Sequence, residues 1–169
     1  SDLGNIATQN SRVFVEDFQS VSSTNIAIME CTYSGKERQC TKETYKKDVE
    51  KIKSVIEQYC IDNNSRVLIP TFSLDRTPYV LWILYTLFGK DENFKIPILI
   101  DSPLANRLLD CYSSILEGDK KDLFDEMMSW KNIRCVITPE DSKAAITDKG
   151  AKCILSSSGM LTAGRSVHW

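Results

Sequence analysis

The sequence predicts an α/β fold, with a mostly parallel open sheet that carries helices on both faces. Short apolar runs, each the length of a buried strand, alternate about five times with longer stretches of helical periodicity. Polar or small residues follow each apolar run, as they do at the strand ends of parallel sheets. The length of 169 residues is that of one domain with a sizeable core.

The first half of the chain contains three predicted strands and two helices. Arg12–Phe18 predicts a strand that leads in from outside the alternating pattern, and Ile26–Cys31 a buried strand. A long amphipathic helix is predicted over Thr41–Cys60, because apolar residues recur there at intervals of three and four. A strand over Arg66–Pro70 and a nearly all-apolar helix over Thr77–Phe88 follow.

The second half continues the alternation. Ser102 is a residue type that caps helices, and Pro103 suits the first helical position. In chain order, the predicted elements are strand Ile96–Ile100, helix Pro103–Glu117, helix Lys120–Trp130, strand Ile133–Thr138, helix Glu140–Asp148 and strand Lys152–Ser156.

Composition and charge restrict the function. Hydrophobic residues make up 42% and charged residues 26%, as in ordinary globular proteins. The formal net charge of −2 argues against a broad basic surface for duplex nucleic acid, although it permits local contact with one or two phosphates. No apolar run approaches the ~20 residues of a membrane span. The N-terminus lacks the pattern of a signal peptide and begins without Met, so we expect a cytoplasmic protein, not membrane-bound, and a fragment of a longer polypeptide.

The six cysteines are scattered, and none belongs to a C-x-x-C pair. His168 is the one histidine. This distribution argues against a zinc cluster within the chain and against a disulfide framework. We expect buried, reduced thiols.

Polar residues collect where the predicted strands end, which is where ligands bind in open parallel sheets. Glu30, Thr71 and Asp101 each lie at such an end. After the last strand, the small residues of 156–164 can turn backbone N–H groups toward an anion, and Arg165 can grip a phosphate. The alternatives are helix caps, a plain loop and surface ion pairs.

Five segments carry short motifs in order: Asp2-Leu3-Gly4, Glu30-Cys31-Thr32-Tyr33, Ile69–Arg76, Asp101-Ser102-Pro103-Leu104-Ala105 and Ser157–Arg165. Together they resemble the motifs of the β-CASP family, RNA- and DNA-processing nucleases built on the metallo-β-lactamase fold. The resemblance implies a Rossmann- or flavodoxin-like β-CASP domain over residues 1–169, in which 1–20 are a remnant of the metallo-β-lactamase half. The sequence departs from the family at Asp75, where the family usually has Gly.

The resemblance also implies a function. The chain is expected to be the substrate-clamping domain of a zinc-dependent ribonuclease that hydrolyses RNA phosphodiester bonds. Its partners are then RNA and the metallo-β-lactamase domain of the same polypeptide, which contributes the histidines for a pair of zinc ions. Because this chain lacks the H-x-H-x-D-H motif, we expect the fragment alone to hold no zinc and to be inactive.

The site residues follow from the same resemblance. Asp2 corresponds to a zinc ligand of the intact parent, and Glu30 to an acidic residue that organises the catalytic centre. The residues expected to contact RNA phosphates are Arg76, Ser102, Ser157, Ser158, Gly159 and Arg165.

Two other functions stay open at this point. One is a non-catalytic β-CASP subunit that acts as a scaffold in an RNA-processing complex. The other is an α/β domain that binds a small phosphorylated ligand at its strand ends.

Overall fold

The computed structural model describes residues 13–14, 23–26, 28, 35 and 41–169. Most of the first two predicted strands therefore lies outside the described residues, as do Asp2 and Glu30 in full. Of the second strand, Ile26 and Ile28 are described, and they are 81% and 96% exposed rather than buried. Phe14 is buried, with its ring edge-to-face against Phe124 at a centroid distance of 5.1 Å.

The sheet has four strands in the described part of the chain: β1 Arg66–Pro70, β2 Ile98–Asp101, β3 Ile133–Cys135 and β4 Lys152–Ser156. All three strand pairs are parallel, and the order across the sheet is β1-β4-β2-β3. The predicted α/β fold with a parallel sheet is confirmed. Because the strands are parallel, their C-terminal ends meet at one side of the sheet, which we call the carboxyl edge.

Helices connect the strands. They are α1 Lys42–Ile56, which continues as a π-helical segment over Glu57–Asp62, α2 Arg76–Phe88, α3 Pro103–Ile115, α4 Gly118–Met128 and α5 Pro139–Thr147, with a 3₁₀ turn over Arg165–His168. No helix in the described ranges is long and apolar enough to cross a membrane.

Side-chain caps start three of these helices. The Thr41 hydroxyl accepts from the N–H of Thr44 at α1, and the predicted cap at α3 is confirmed, since Ser102 Oγ accepts from the N–H of Ala105. Thr138 and Asp141 form a reciprocal capping box at α5. The Thr138 hydrogen bonds hold the pKa of Asp141 below its usual value.

Two strands are shorter than predicted, and side chains explain both differences. β2 begins at Ile98 rather than Ile96, because the Asn132 amide donates to the carbonyls of Phe94 and Ile96 and takes the place of a strand partner there. β3 ends at Cys135 rather than Thr138, because the Arg165 guanidinium donates to the carbonyls of Val136 and Ile137, just beyond the strand.

The two faces of the sheet bury alternate residues of each strand. Ile98 and Ile100 of β2 belong to the larger core, which α1 to α4 cover. Leu99 and Ile154 face a smaller core that packs against Ala145 of α5 and against Trp169. Helices therefore lie on both faces, as predicted.

The described cysteines, 60, 111, 135 and 153, form no disulfide. Cys60 and Cys153 are buried as predicted, and burial raises the pKa of both thiols. The expectation of burial is wrong for Cys111 and Cys135, which are exposed. Cys111 lies on the outer side of α3, and Cys135 ends an edge strand.

We expect Leu84→Ala to lower the free energy of unfolding by about 2–5 kcal/mol, because Leu84 is fully buried in the larger core and its removal leaves a cavity. Urea denaturation measures the change. Ile115→Ala is the control, since Ile115 is 70% exposed and its loss should cost about 0.5 kcal/mol or less. Equal losses in the two variants would contradict the described core.

Candidate functional site

The carboxyl edge brings together segments that lie far apart in the sequence. β4 lies between β1 and β2, so Ser156 pairs with Pro70 on one side and with Asp101 on the other. The Ser156 hydroxyl donates to the carbonyl of Asp101 at 2.9 Å, and the N–H of Thr71 donates to the carbonyl of Ser156 at 2.9 Å. The loop after β4 is consequently flanked by the residues that follow β1 and β2.

Three serines from these loops form a continuous row of hydrogen bonds, which we call the hydroxyl chain. Ser73 Oγ lies 3.1 Å from Ser102 Oγ, and Ser102 Oγ lies 2.9 Å from Ser157 Oγ. Hydroxyl groups both donate and accept, so the chain can adapt its polarity to a ligand at either end. The central Ser102 is 2% exposed and also caps α3, so its hydroxyl has internal partners on every side.

A buried carboxylate fixes the segment after this loop. Asp101 is fully buried, and its Oδ1 accepts from Arg165 Nη1 at 2.6 Å. Its Oδ2 accepts from Ser142 Oγ and from the indole Nε1 of Trp169, each at 2.7 Å. These contacts tie the end of β2 to α5 and to the C-terminal turn.

Arg165 is held on its other side by backbone. Its Nη1 also donates to the carbonyl of Val136 at 3.2 Å, and its Nη2 donates to the carbonyl of Ile137 at 2.9 Å. The contacts favour the ion-pair alternative for Arg165, because its guanidinium already has a carboxylate and two carbonyls as partners. Phosphate binding by Arg165 stays a prediction.

The loop that follows β4 turns back on itself. The N–H of Ser158 donates to the carbonyl of Ala163, and the N–H of Ser166 donates to the carbonyl of Ser157 at 2.9 Å. The Ser166 hydroxyl donates to the carbonyl of Ser158 at 2.9 Å. Gly164 has φ of +75°, and a Cβ there would lie 2.6 Å from the Ser157 carbonyl oxygen, so only glycine fits.

Ser158 carries the clearest sign of an unmet interaction. Its Oγ is buried and has no hydrogen-bond partner among the described residues. Leaving a buried hydroxyl unsatisfied costs free energy, and an ordered water or a bound ion is one way in which such a group is satisfied. Ser157 and Gly159 flank it in the sequence, and what the structure adds is the contact of Ser157 with the predicted Ser102.

Arg76 lies at the same edge of the sheet. It is the first residue of α2, it is exposed, and its backbone N–H donates to the carbonyl of Leu74. Asp75, directly before it, has φ of +61°, a conformation that glycine adopts more easily. The backbone at this position is thus left-handed although the sequence has Asp there.

The described residues do not fit a zinc site. Among 41–169 and the short described stretches before them, no three His, Cys, Asp or Glu side chains come close enough to hold a metal ion. His168 is exposed in the C-terminal 3₁₀ turn. Asp2 and Glu30 lie outside the described residues, so their expected roles stay predictions.

Sequence reasoning placed Ser73 among the polar residues that follow a strand but included neither Ser73 nor Phe72 among the site residues. Ser73 completes the hydroxyl chain, and Phe72 is exposed beside Gly159. Both lie in the segment Ile69–Arg76, which resembles a motif of the β-CASP family. The pattern gave no sign that Ser73 points inward and Phe72 outward.

The profile of the family described as the Beta-Casp domain matches residues 77–169, which is more than half of the chain. The chain belongs to the Beta-Casp domain family. The matched region of this Beta-Casp domain includes the D-S-P-L-A segment that starts at Asp101 and the loop after β4, so the family predicted from five short motifs is confirmed.

Curated relatives are longer than this Beta-Casp domain. Ribonuclease TTHA0252 of Thermus thermophilus is 29% identical over 150 residues, which cover 85% of this chain and 33% of the relative. RNase aCSPSF2 of Saccharolobus solfataricus is 26% identical over 154 residues, which cover 90% of this chain and 28% of the relative. The chain spans about a third of the length of these relatives.

We expect Gly164→Ala to lower the free energy of unfolding by about 3 kcal/mol or more, since both the positive φ and the clash with Ser157 oppose a side chain. Gly118→Ala is a matched control. Gly118 also has positive φ, of +55°, but a Cβ there meets nothing within 4 Å, so its replacement should cost only about 1–2 kcal/mol. Chemical denaturation compares the two, and equal losses would show that the loop tolerates a side chain.

We expect Asp101→Asn to lower the free energy of unfolding of the Beta-Casp domain by about 3–5 kcal/mol, because it leaves the Arg165 charge largely buried without its partner. Denaturation at neutral pH measures the loss. The control is Glu57→Gln, which removes the half-exposed Lys53–Glu57 pair at 3.6 Å and should cost about 1 kcal/mol or less. A loss at Asp101 no greater than at Glu57 would mean that the buried pair does not anchor the edge.

Proposed function

We propose that this chain is the RNA-clamping Beta-Casp domain of a zinc-dependent ribonuclease that hydrolyses phosphodiester bonds. The observation that carries the proposal is the loop after β4, which lies next to the hydroxyl chain at the carboxyl edge and whose buried Ser158 Oγ has no partner among the described residues. Family membership and two relatives that are named ribonucleases support RNA as the substrate.

The loop after β4 binds and orients the phosphate. Backbone N–H groups of the loop, such as that of Gly159, donate hydrogen bonds to a phosphate oxygen, and the buried Ser158 Oγ joins them only when the loop moves to expose it. Ser157 holds the loop in place through Ser102. Arg76 adds a positive charge at the same edge, where its exposed guanidinium can reach the RNA backbone.

Hydrolysis itself belongs to the rest of the longer protein. In a two-metal site, zinc ions activate water and stabilise the charge on the phosphoryl group. The described residues fit no such site, so we assign them no step in which zinc takes part. We infer that the metal lies in a metallo-β-lactamase domain of the same polypeptide, with Asp2 and Glu30 at the boundary, and that the isolated chain does not cleave RNA.

The test compares RNA cleavage by the full-length protein, with and without a zinc chelator, with cleavage by the isolated chain. We expect only the zinc-loaded full-length protein to cleave. Arg76→Ala should weaken the binding of single-stranded RNA. It should also make the negative slope of log K, the association constant, against the log of the salt concentration shallower by about 0.7, the value for one lost phosphate contact.

Lys131→Ala is the matched control for Arg76→Ala. Lys131 is exposed, and its replacement by Ala removes the same charge. It lies just before β3, at the opposite edge of the sheet. Equal effects of the two variants would mean that the carboxyl edge does not contact RNA. If the full-length protein binds RNA but cleaves none, the non-catalytic scaffold becomes the better assignment.

A further inference from the structure

Phe72 presents an aromatic ring at the carboxyl edge. Its side chain is 53% exposed, although the residues on either side, Thr71 and Ser73, are buried. Among the Phe, Tyr and Trp residues in the described part of the chain, Tyr59 is the other exposed one. It lies at the opposite edge of the sheet, because its carbonyl accepts from Ser65, directly before β1.

The backbone that carries the ring is fixed from several directions. The carbonyl of Phe72 accepts from both the N–H and the hydroxyl of Thr77, at 3.2 and 2.9 Å. The Thr77 hydroxyl also lies 3.0 Å from that of Thr71, and the next residue, Ser73, belongs to the hydroxyl chain. A ring on so constrained a backbone loses little conformational entropy when a ligand covers it.

The ring lies directly against the loop after β4. A Cβ built on Gly159 would lie 3.2 Å from Cε2 and 3.3 Å from Cδ2 of Phe72. The absence of a side chain at residue 159 therefore lets the ring approach the loop that carries Ser157 and Ser158. An exposed aromatic ring, the hydroxyl chain and the backbone of the loop after β4 thus lie side by side.

We propose that Phe72 is a stacking platform for an RNA base and positions the nucleotide whose phosphate binds the loop after β4. The inference rests on the proposed function and adds the residue that holds a base. Single-stranded RNA is commonly bound through bases stacked on aromatic side chains. Because every base has a π-face, this contact fixes the register of the strand without selecting a sequence.

The surroundings of the ring favour a nucleotide over an apolar protein surface. The ring lies against the loop that carries Ser157, whose hydroxyl ends the hydroxyl chain, and Gly159, whose backbone N–H can donate to an anion. A phosphate or ribose oxygen bonds to such groups, whereas an apolar surface leaves them unsatisfied. A nucleotide supplies the aromatic and the polar contact together.

The test is a double-mutant cycle on the full-length protein, with binding measured for single-stranded RNAs that each carry one abasic nucleotide at a successive position. We expect Phe72→Leu, which keeps an apolar side chain but removes the ring, to raise Kd for intact RNA about tenfold. One abasic position should raise Kd about tenfold for the unmodified protein and leave it nearly unchanged for Phe72→Leu. Phe72→Trp should retain both the affinity and the sensitivity to that position.

Two further variants probe the ring: Gly159→Ala disturbs its packing against the loop, and Leu74→Ala separates stacking from the loss of apolar surface. Gly159→Ala places a Cβ against the ring. We therefore expect it to weaken the binding of intact RNA and to remove the effect of the abasic nucleotide at that same position. Leu74→Ala removes a 59% exposed apolar side chain from the same turn and should change Kd less than about twofold if the aromatic ring carries the effect.

The outcomes distinguish this inference from the proposed function. If Phe72→Leu weakens the binding of intact RNA and of every abasic RNA equally, the stacking proposal is wrong, and the ring serves a protein contact or the fold. If no abasic position affects the unmodified protein although it cleaves RNA, stacking is wrong and the ribonuclease function stands. If the zinc-loaded full-length protein neither binds nor cleaves RNA, the proposed function fails and this inference fails with it.

Discussion

The hydrogen-bonded ion pair between Asp101 and Arg165 joins several elements at the carboxyl edge. Asp101 is fully buried, and an uncompensated carboxylate in that position would be costly. Arg165 supplies the opposite charge, and Ser142 and Trp169 supply further donors. The pair thereby joins β2, α5 and the C-terminal turn, and it closes the end of the loop that begins at Ser157. The ion pair fixes the C-terminal end of that loop, and the Ser157–Ser102 hydrogen bond fixes its start beside the hydroxyl chain.

Strand order explains why the remaining site residues meet. Although β4 comes last in the described sheet, it lies between β1 and β2, so its loop is central at the carboxyl edge. Ser73, Ser102 and Ser157 are separated by 29 and 55 residues in sequence, yet their hydroxyls are in direct contact. The parallel pairing of Ser156 with both neighbouring strands sets this arrangement. The ring of Phe72 reaches Gly159 for the same reason.

Local chemistry accounts for what the sequence alone could predict. Strand β1 and strand β4 have the predicted bounds, and Ser102 caps α3, because short apolar runs and capping residues act through near neighbours. Strand order and the partner of Arg165 depend on contacts between distant residues, which one sequence does not reveal. The same holds for the exposure of Cys111, since an apolar residue type says little about which side of α3 faces solvent. Motif similarity identified the segment 69–76, but the inward direction of Ser73 required the structure.

The arrangement also bears on how such an edge can bind a polyanion in a chain with a formal net charge of −2. Arg165 supplies the positive charge of the loop after β4, and the carboxylate of Asp101 neutralises it. What the loop still offers are hydroxyls, backbone N–H groups and the neighbouring ring of Phe72. These groups act over short distances, and salt screens them less than it screens exposed charges. A broad basic surface attracts nucleic acid from a distance, whereas groups of this kind suit one or two nucleotides held in a fixed position. The RNA-clamping role that we propose requires the second kind of surface.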